Sequence, residues 1–189
     1  EKAAHNLNTH WVPSGVTEEF FEDQPIPAEI QAIPGPRIGF FGTLDHRLDI
    51  NMMTELAAHN PSWSFVLIGL ARCDIGRLTT MANVYWLGPK MHNELPGYLA
   101  GLDTIYLPYV VDEFTYHIYP AKVHECMAMG IPVVATALPA LEPFAGLLFL
   151  VRPGQTFAGE LRAALVEDDP DLRQQRRDLA KANSWEVRY

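Results

Sequence analysis

Short runs that are apolar at nearly every position alternate along this chain with stretches whose apolar residues recur at helical spacing. Residues 38–41, 64–68, 84–87, 104–107, 131–135 and 147–151 are such runs, mostly flanked by glycine or proline. Runs this short, with this punctuation, predict buried strands. Ile50, Met53, Leu56 and Ala57 follow the helical period behind Asp49, a good N-cap. Short helices are expected over 72–80 and 94–101, and two closing helices over 156–166 and 170–181. Residues 9–12 alternate weakly, as a short strand would, ahead of a turn at 13–15. Pro25, Pro27, Pro34 and Pro36 make residues 22–36 read as an irregular linker.

A strand apolar on both faces must be covered on both sides, and helices between such strands supply the cover. The pattern therefore predicts an α/β fold, a Rossmann-like doubly wound parallel sheet of about six strands. Residues 1–36 are expected to form a connection and linker, and residues 37–189 the folded domain. In this architecture ligands bind beyond the carboxyl ends of the strands. Gly42-Thr43, Gly69, Gly88-Pro89 and the stretch from Thr115 to Lys122 fall there.

Composition narrows the function classes. The chain has 189 residues, 48% hydrophobic and 20% charged, with a net charge of −9, which suits a globular protein and opposes a nucleic-acid-binding surface. Cys73 and Cys126 have no metal-ligand spacing and are expected to be reduced, partly buried thiols in helical segments. No apolar run reaches the roughly 20 residues of a membrane-spanning helix. These features lead to the expectation of a cytoplasmic protein without nucleic-acid partners. The chain starts at Glu1 with no methionine and reads as an excised domain.

The segment Tyr119-Pro-Ala-Lys-Val-His-Glu-Cys-Met-Ala-Met-Gly-Ile-Pro-Val-Val-Ala-Thr136 concentrates the candidate chemistry. Proline pushes the residue before it out of the α region, so a helix is expected to start at Pro120. Gly130 supplies a left-handed cap and Pro132 forbids continuation. Tyr119 has no short acceptor side chain to cap the first N–H groups, and Lys122 is a cation in a first turn, where the macrodipole disfavours it. A bound phosphate would reconcile both features. The i,i+3 spacing of Lys122 and Glu125 alone is equally that of an exposed ion pair worth about 0.2–0.5 kcal/mol.

Gly39-Phe-Phe-Gly-Thr-Leu44, Trp63-Ser-Phe-Val-Leu-Ile-Gly69, Asn83-Val-Tyr-Trp-Leu-Gly88 and Glu94-Leu-Pro-Gly-Tyr-Leu99 precede that helix in order. The ordered series resembles the C-terminal, donor-binding half of a GT-B glycosyltransferase of the group-1/family-4 kind. It is most similar to the members with a proline–lysine–glutamate helix used in cell-surface polysaccharide assembly. The resemblance covers about residues 37–151. Val12-Pro-Ser-Gly-Val16 and Ser184-Trp185-Glu186 resemble, more loosely, the segments that join the two halves.

The resemblance implies a nucleotide-diphosphate sugar, UDP- or GDP-linked, as donor substrate, with no cofactor and no metal. It implies that Glu125 binds both ribose hydroxyls and Lys122 meets the diphosphate. Gly42 and Thr43 would bring backbone N–H groups to the phosphates or sugar, and Leu87, Gly88 and Pro89 would edge the base. Tyr116, His117 and Tyr119 would line the donor pocket with Pro120, and Thr115 or Glu113 would contact the sugar. Many members carry a second glutamate eight positions before the ribose-binding one; His117 stands there instead, which leaves the sugar contacts and the stereochemistry open. A carbohydrate or lipid-linked acceptor would be held by an N-terminal domain absent from this chain. That domain would also supply any peripheral contact with the inner face of a membrane, and the fragment alone would be inactive.

Several residues admit a plainer role. Arg47, Arg72 and Lys90 are expected to be solvated rather than phosphate ligands, and Asp112 and Glu113 merely exposed. Trp63 and Trp86 are expected to be packing residues. Two other functions also fit the chain: a sugar-nucleotide epimerase of the same architecture, and a non-catalytic Rossmann-like interaction domain.

Overall fold

The computed structural model describes residues 6, 8 and 14–188. The strand expected over 9–12 lies outside the described residues. A 3-10 turn, Glu18–Phe21, and a four-residue helix, α1 (Ala28–Gln31), precede the sheet. Then follow β1 (Arg37–Phe41), α2 (Ile50–His59), β2 (Ser64–Ile68), α3 (Gly76–Thr79) and β3 (Val84–Gly88). After them come α4 (Leu95–Ala100), β4 (Thr104–Leu107), α5 (Lys122–Ala128), β5 (Val133–Thr136) and β6 (Phe149–Val151). Helices α6 (Phe157–Leu165), α7 (Pro170–Lys181) and α8 (Trp185–Arg188) close the chain.

The sheet has six strands in the order β3-β2-β1-β4-β5-β6, and every pair is parallel. Strand β1 is central, with Ile38 paired to Phe65 on one side and to Thr104 on the other. The chain reverses its direction of travel across the sheet between β1 and β4, and crevices for ligands open at that switch point. Phe40, Phe65 and Tyr106 meet edge to face at 6.4 and 5.9 Å in the core. All five residues of β2 are buried, which is why its sequence shows no polar alternation.

Two stretches differ from the sequence expectation. Residues 22–36 are not merely irregular: Ile30 and Ile33 are buried, and Pro27 precedes α1. A Cβ at Gly101 would lie 2.3 Å from Ile30 Cγ2, so α4 and α1 touch where only glycine fits. Lys90 Nζ adds an ion pair to Glu29 at 2.9 Å and lies 4.7 Å from the Tyr98 ring centroid. Lys90 thus ties the linker to α4. Helix α3 is also shorter than expected. Arg72 N donates to Leu44 O at 2.8 Å, and Asp74 Oδ1 accepts from Gly76 N, so the chain stays extended and then turns before it can coil. Cys73 consequently lies outside a helix, while Cys126 is buried within α5; both are free thiols.

Candidate functional site

Three adjacent strands end on glycines with positive φ: Gly42 at 115°, Gly69 at 146° and Gly88 at 67°. These are values that side chains with a Cβ rarely adopt. Gly42 N donates to Ile68 O at 2.8 Å and Gly69 N donates to Gly88 O at 2.8 Å, which stitches the three ends into a shelf. The Gly42 N–H is therefore spent inside the sheet and does not face a ligand, contrary to the sequence expectation. What Gly42 provides is room: a Cβ there would lie 2.2 Å from Lys122 Cε and 2.7 Å from Nζ. The half-buried Thr43 keeps its place at this end, and its N–H makes no hydrogen bond among the described residues. Leu87 and Gly88 are half-buried and Pro89 is exposed at the end of β3.

Helix α5 brings Lys122 over the switch point, with Nζ 5.9 Å from the Phe40 ring centroid. It begins two residues after Pro120, through a tightened turn in which Val123 N reaches Pro120 O and His124 N reaches Ala121 O. No side chain caps this start. At the other end Gly130, with φ 73°, makes the paired Schellman bonds: Ile131 N to Cys126 O, and Gly130 N to Met127 O.

The exposed-pair reading of Lys122 and Glu125 does not hold. Among the described residues no hydrogen bond or salt bridge joins them, and the Glu125 side chain is only 18% exposed. Burial lowers the pKa of the Lys122 ammonium, and nearby Glu125 opposes that shift. Burial likewise raises the Glu125 carboxyl, opposed by His92 and then Lys122. Both charges are held where solvent serves them poorly, which is the electrostatic state a ligand of suitable charge and hydrogen bonding relieves.

The loop before α5 departs from the expected pocket lining. Thr115 is fully buried, and its hydroxyl donates to Val110 O at 2.6 Å and accepts from Asp112 N at 2.9 Å. Asp112 Oδ1 accepts from Thr115 N at 2.7 Å. Thr115 therefore closes the turn and does not reach a substrate. Pro120 is buried, and His117 is exposed, edge to face with Tyr116. Tyr119 is half-buried and turned onto α5, its hydroxyl bonded to His124 Nε2. Arg47 pairs with Asp45 at 2.5 Å, and Arg72 is exposed. Glu113 is exposed as expected.

His124 is 1% exposed, its Nδ1 has no partner among the described residues, and Phe144 stands edge-on at 5.4 Å. Burial, with a smaller contribution from Arg188, lowers its pKa to about 4. The unfolded chain binds this proton near the usual 6.5, so between those values it holds more protons than the folded one. Stability is then complete above about pH 6.5 and falls as the pH drops towards 4, by on the order of 2–3 kcal/mol. Urea unfolding at pH 7.5 and pH 4.5 checks this. His124→Phe should lose clearly less stability over the interval than the unaltered chain, and equal losses would refute the assignment.

The sequence places Gly69 at a strand end and reads Trp86 as packing, while His92 carries no signal in it; the structure gives all three a part in this region. Gly69 carries the tightest approach, since its Cβ would lie 1.9 Å from Gly42 O. Trp86 is 45% exposed instead of packed, and its Nε1 donates to Gly69 O at 2.9 Å. His92 Nε2 lies 4.0 Å from Glu125 Oε1. Trp63, by contrast, is buried as expected.

A doubly wound sheet with a glycine shelf and a lysine-bearing helix at its switch point is the Rossmann-like half of the GT-B architecture. The chain belongs to the group 1 glycosyltransferase family, whose pattern it matches over residues 35–168. It is 33% identical over 138 residues to TuaH of Bacillus subtilis (strain 168), named as a teichuronic acid biosynthesis glycosyltransferase. That match covers 69% of this chain and 35% of TuaH. Sucrose-phosphate synthase of Thermosynechococcus elongatus superposes with a TM-score of 0.71 at 20% identity, over 94% of this chain and 49% of that one. Anabaena HepE (Alr3699), solved in complex with UDP and glucose, does so with 0.69 at 18% identity, over 93% and 53%. The C-terminal domain of the group 1 protein LpcC from Francisella tularensis gives 0.63 at 23% identity, over 89% and 97%. This chain thus spans about a third of its curated relative and about half of the two longer solved chains. At these identities the solved structures speak to the fold. Among the described residues no helix is long and apolar enough to cross a membrane.

Proposed function

We propose that this chain binds the nucleotide-diphosphate sugar donor of a glycosyltransferase that acts on a polysaccharide or lipid-linked acceptor. The observation that carries the reading is the placement of Lys122. A half-buried lysine lies against Gly42 at the uncapped start of α5, with the Glu125 carboxylate one turn further on. When the anomeric C–O bond breaks, its electron pair goes to the terminal phosphate oxygen of the nucleotide. A desolvated cation and the free N–H groups of a helix start stabilise that charge where it forms. Glu125, without a side-chain hydrogen bond among the described residues, has carboxyl oxygens that can accept from both ribose hydroxyls. The family membership supports this reading, as does HepE, whose complex holds UDP and glucose. No step requires a metal or cofactor from this chain. The acceptor, and any contact with the inner face of a membrane, would fall to a second domain, so this chain alone is expected to bind donor without transferring sugar.

Titration calorimetry with UDP- and GDP-sugars tests the proposal. Binding of one of them is expected, with Lys122→Ala and Glu125→Ala each weakening it by about tenfold or more, the value of a charged hydrogen bond. Absence of binding, or silent substitutions in folded variants, would overturn it.

A further inference from the structure

His92 stands where three parts of the molecule meet. It opens a 3-10 turn, His92–Glu94, between β3 and α4, and both flanks of that turn are fixed. On one side Lys90 pairs with Glu29, and on the other Glu94 Oε2 accepts from Met91 N at 2.8 Å. The imidazole rests on buried Phe20 with ring centroids 5.2 Å apart. Its Nε2 lies 3.5 Å from Thr17 Oγ1 and 4.0 Å from Glu125 Oε1. One ring atom is therefore shared between the segment ahead of the sheet and the carboxylate on α5.

We infer that His92 is a positioning residue for Glu125, holding the carboxylate in place for the ribose while leaving its oxygens free to accept. The inference rests on the donor-binding reading above. The separation matters. At 4.0 Å the ring is too far to take up an acceptor site that a ribose hydroxyl needs, yet near enough to act electrostatically on a half-buried carboxylate. Lys122 forms no ion pair with Glu125 among the described residues, and the end of its side chain lies against Gly42. A closer donor would fix Glu125 more firmly and compete with the ligand. The plainer account is that His92 only packs on Phe20, and the two accounts predict different variant series.

The experiment is calorimetry with UDP and GDP on the full chain. His92→Ala and His92→Phe should each weaken the nucleotide that binds about two- to fivefold, the scale of a weak, partly exposed polar contact. His92→Gln, which keeps a donor, should stay within about twofold of the unaltered chain. In a Glu125→Gln background, which has no carboxylate to hold, His92→Ala should add no further loss. Recovery of full affinity in His92→Phe would assign the ring to packing alone and overturn the inference, as would losses that simply multiply in the double variant. Those results would leave the donor reading intact. Unchanged affinity in Glu125→Gln and Glu125→Ala, or no nucleotide binding at all, would instead overturn the donor reading and the role of His92 with it.

Discussion

Gly69→Ala is expected to destabilise the protein by about 3 kcal/mol or more, while Gly42→Ala leaves it folded with nucleotide binding weakened about tenfold or more. The two glycines end neighbouring strands and both have positive φ, so alanine strains the backbone at each by roughly 1–2 kcal/mol. They differ in what the new methyl meets. At Gly69 it would lie 1.9 Å from the Gly42 carbonyl oxygen, a backbone atom of a residue whose N–H is bonded to Ile68 O and which cannot swing aside as a side chain can. At Gly42 it would meet the far end of the Lys122 side chain, a flexible stem that can swing aside. The fold then survives, but the ammonium leaves the switch point. Thermal unfolding and calorimetry with UDP, run on both variants, separate the two effects. Gly42→Ala should match Lys122→Ala in lost affinity, and a Gly69→Ala protein within 1 kcal/mol of the unaltered chain would contradict the packing described here.

Glu167→Ala is expected to cost about 3–5 kcal/mol, the scale of a buried charge stripped of its partner. Arg176 lies on α7 and is 1% exposed. Its Nε donates to Leu147 O at 2.8 Å, and its two terminal nitrogens reach the two oxygens of Glu167 at 2.5 and 2.6 Å. Removing the carboxylate leaves a desolvated guanidinium with one carbonyl for company. Removing both charges avoids that state, so Arg176→Met combined with Glu167→Ala should be less damaging than Glu167→Ala alone. Urea unfolding at pH 7 gives the order, and a single-variant cost below 1 kcal/mol would show that solvent reaches the guanidinium.

The sheet was legible because its strands are covered on both faces. Residues 64–68 and 104–107 coincide with β2 and β4, since every position in them is buried and none needs to be polar. Strand β5 begins at Val133, later than the apolar run suggests, because Ile131 is occupied in the Schellman return from α5. The prolines of residues 22–36 masked α1, whose buried Ile30 is recognisable only once α4 is placed beside it. Punctuation exposed the site in the same way: Gly42, Pro120 and Gly130 mark chain reversals that a sequence displays openly. Lys122 and Glu125 stand out as candidates because they sit between those marks. His92, Gly69 and Trp86 matter through partners 17 or more positions away, and no local spacing encodes such meetings. Thr115 shows the converse error, a polar residue in the right loop whose hydroxyl serves the loop itself.

Val16 and Ser184 form a parallel bridge, closed by bonds from Val16 N to Asn183 O at 3.2 Å and from Trp185 N to Val16 O at 3.1 Å. The indole of Trp185 lies over Gly15, where a Cβ would come within 2.6 Å of it. The incoming and outgoing chain therefore pass through one doorway. The two segments are held to one another there by a pair of backbone bonds, so a displacement of either is passed to the other. A bulky residue at Gly15 would push Trp185 aside and loosen that junction while leaving the glycine shelf, built at the strand ends, undisturbed.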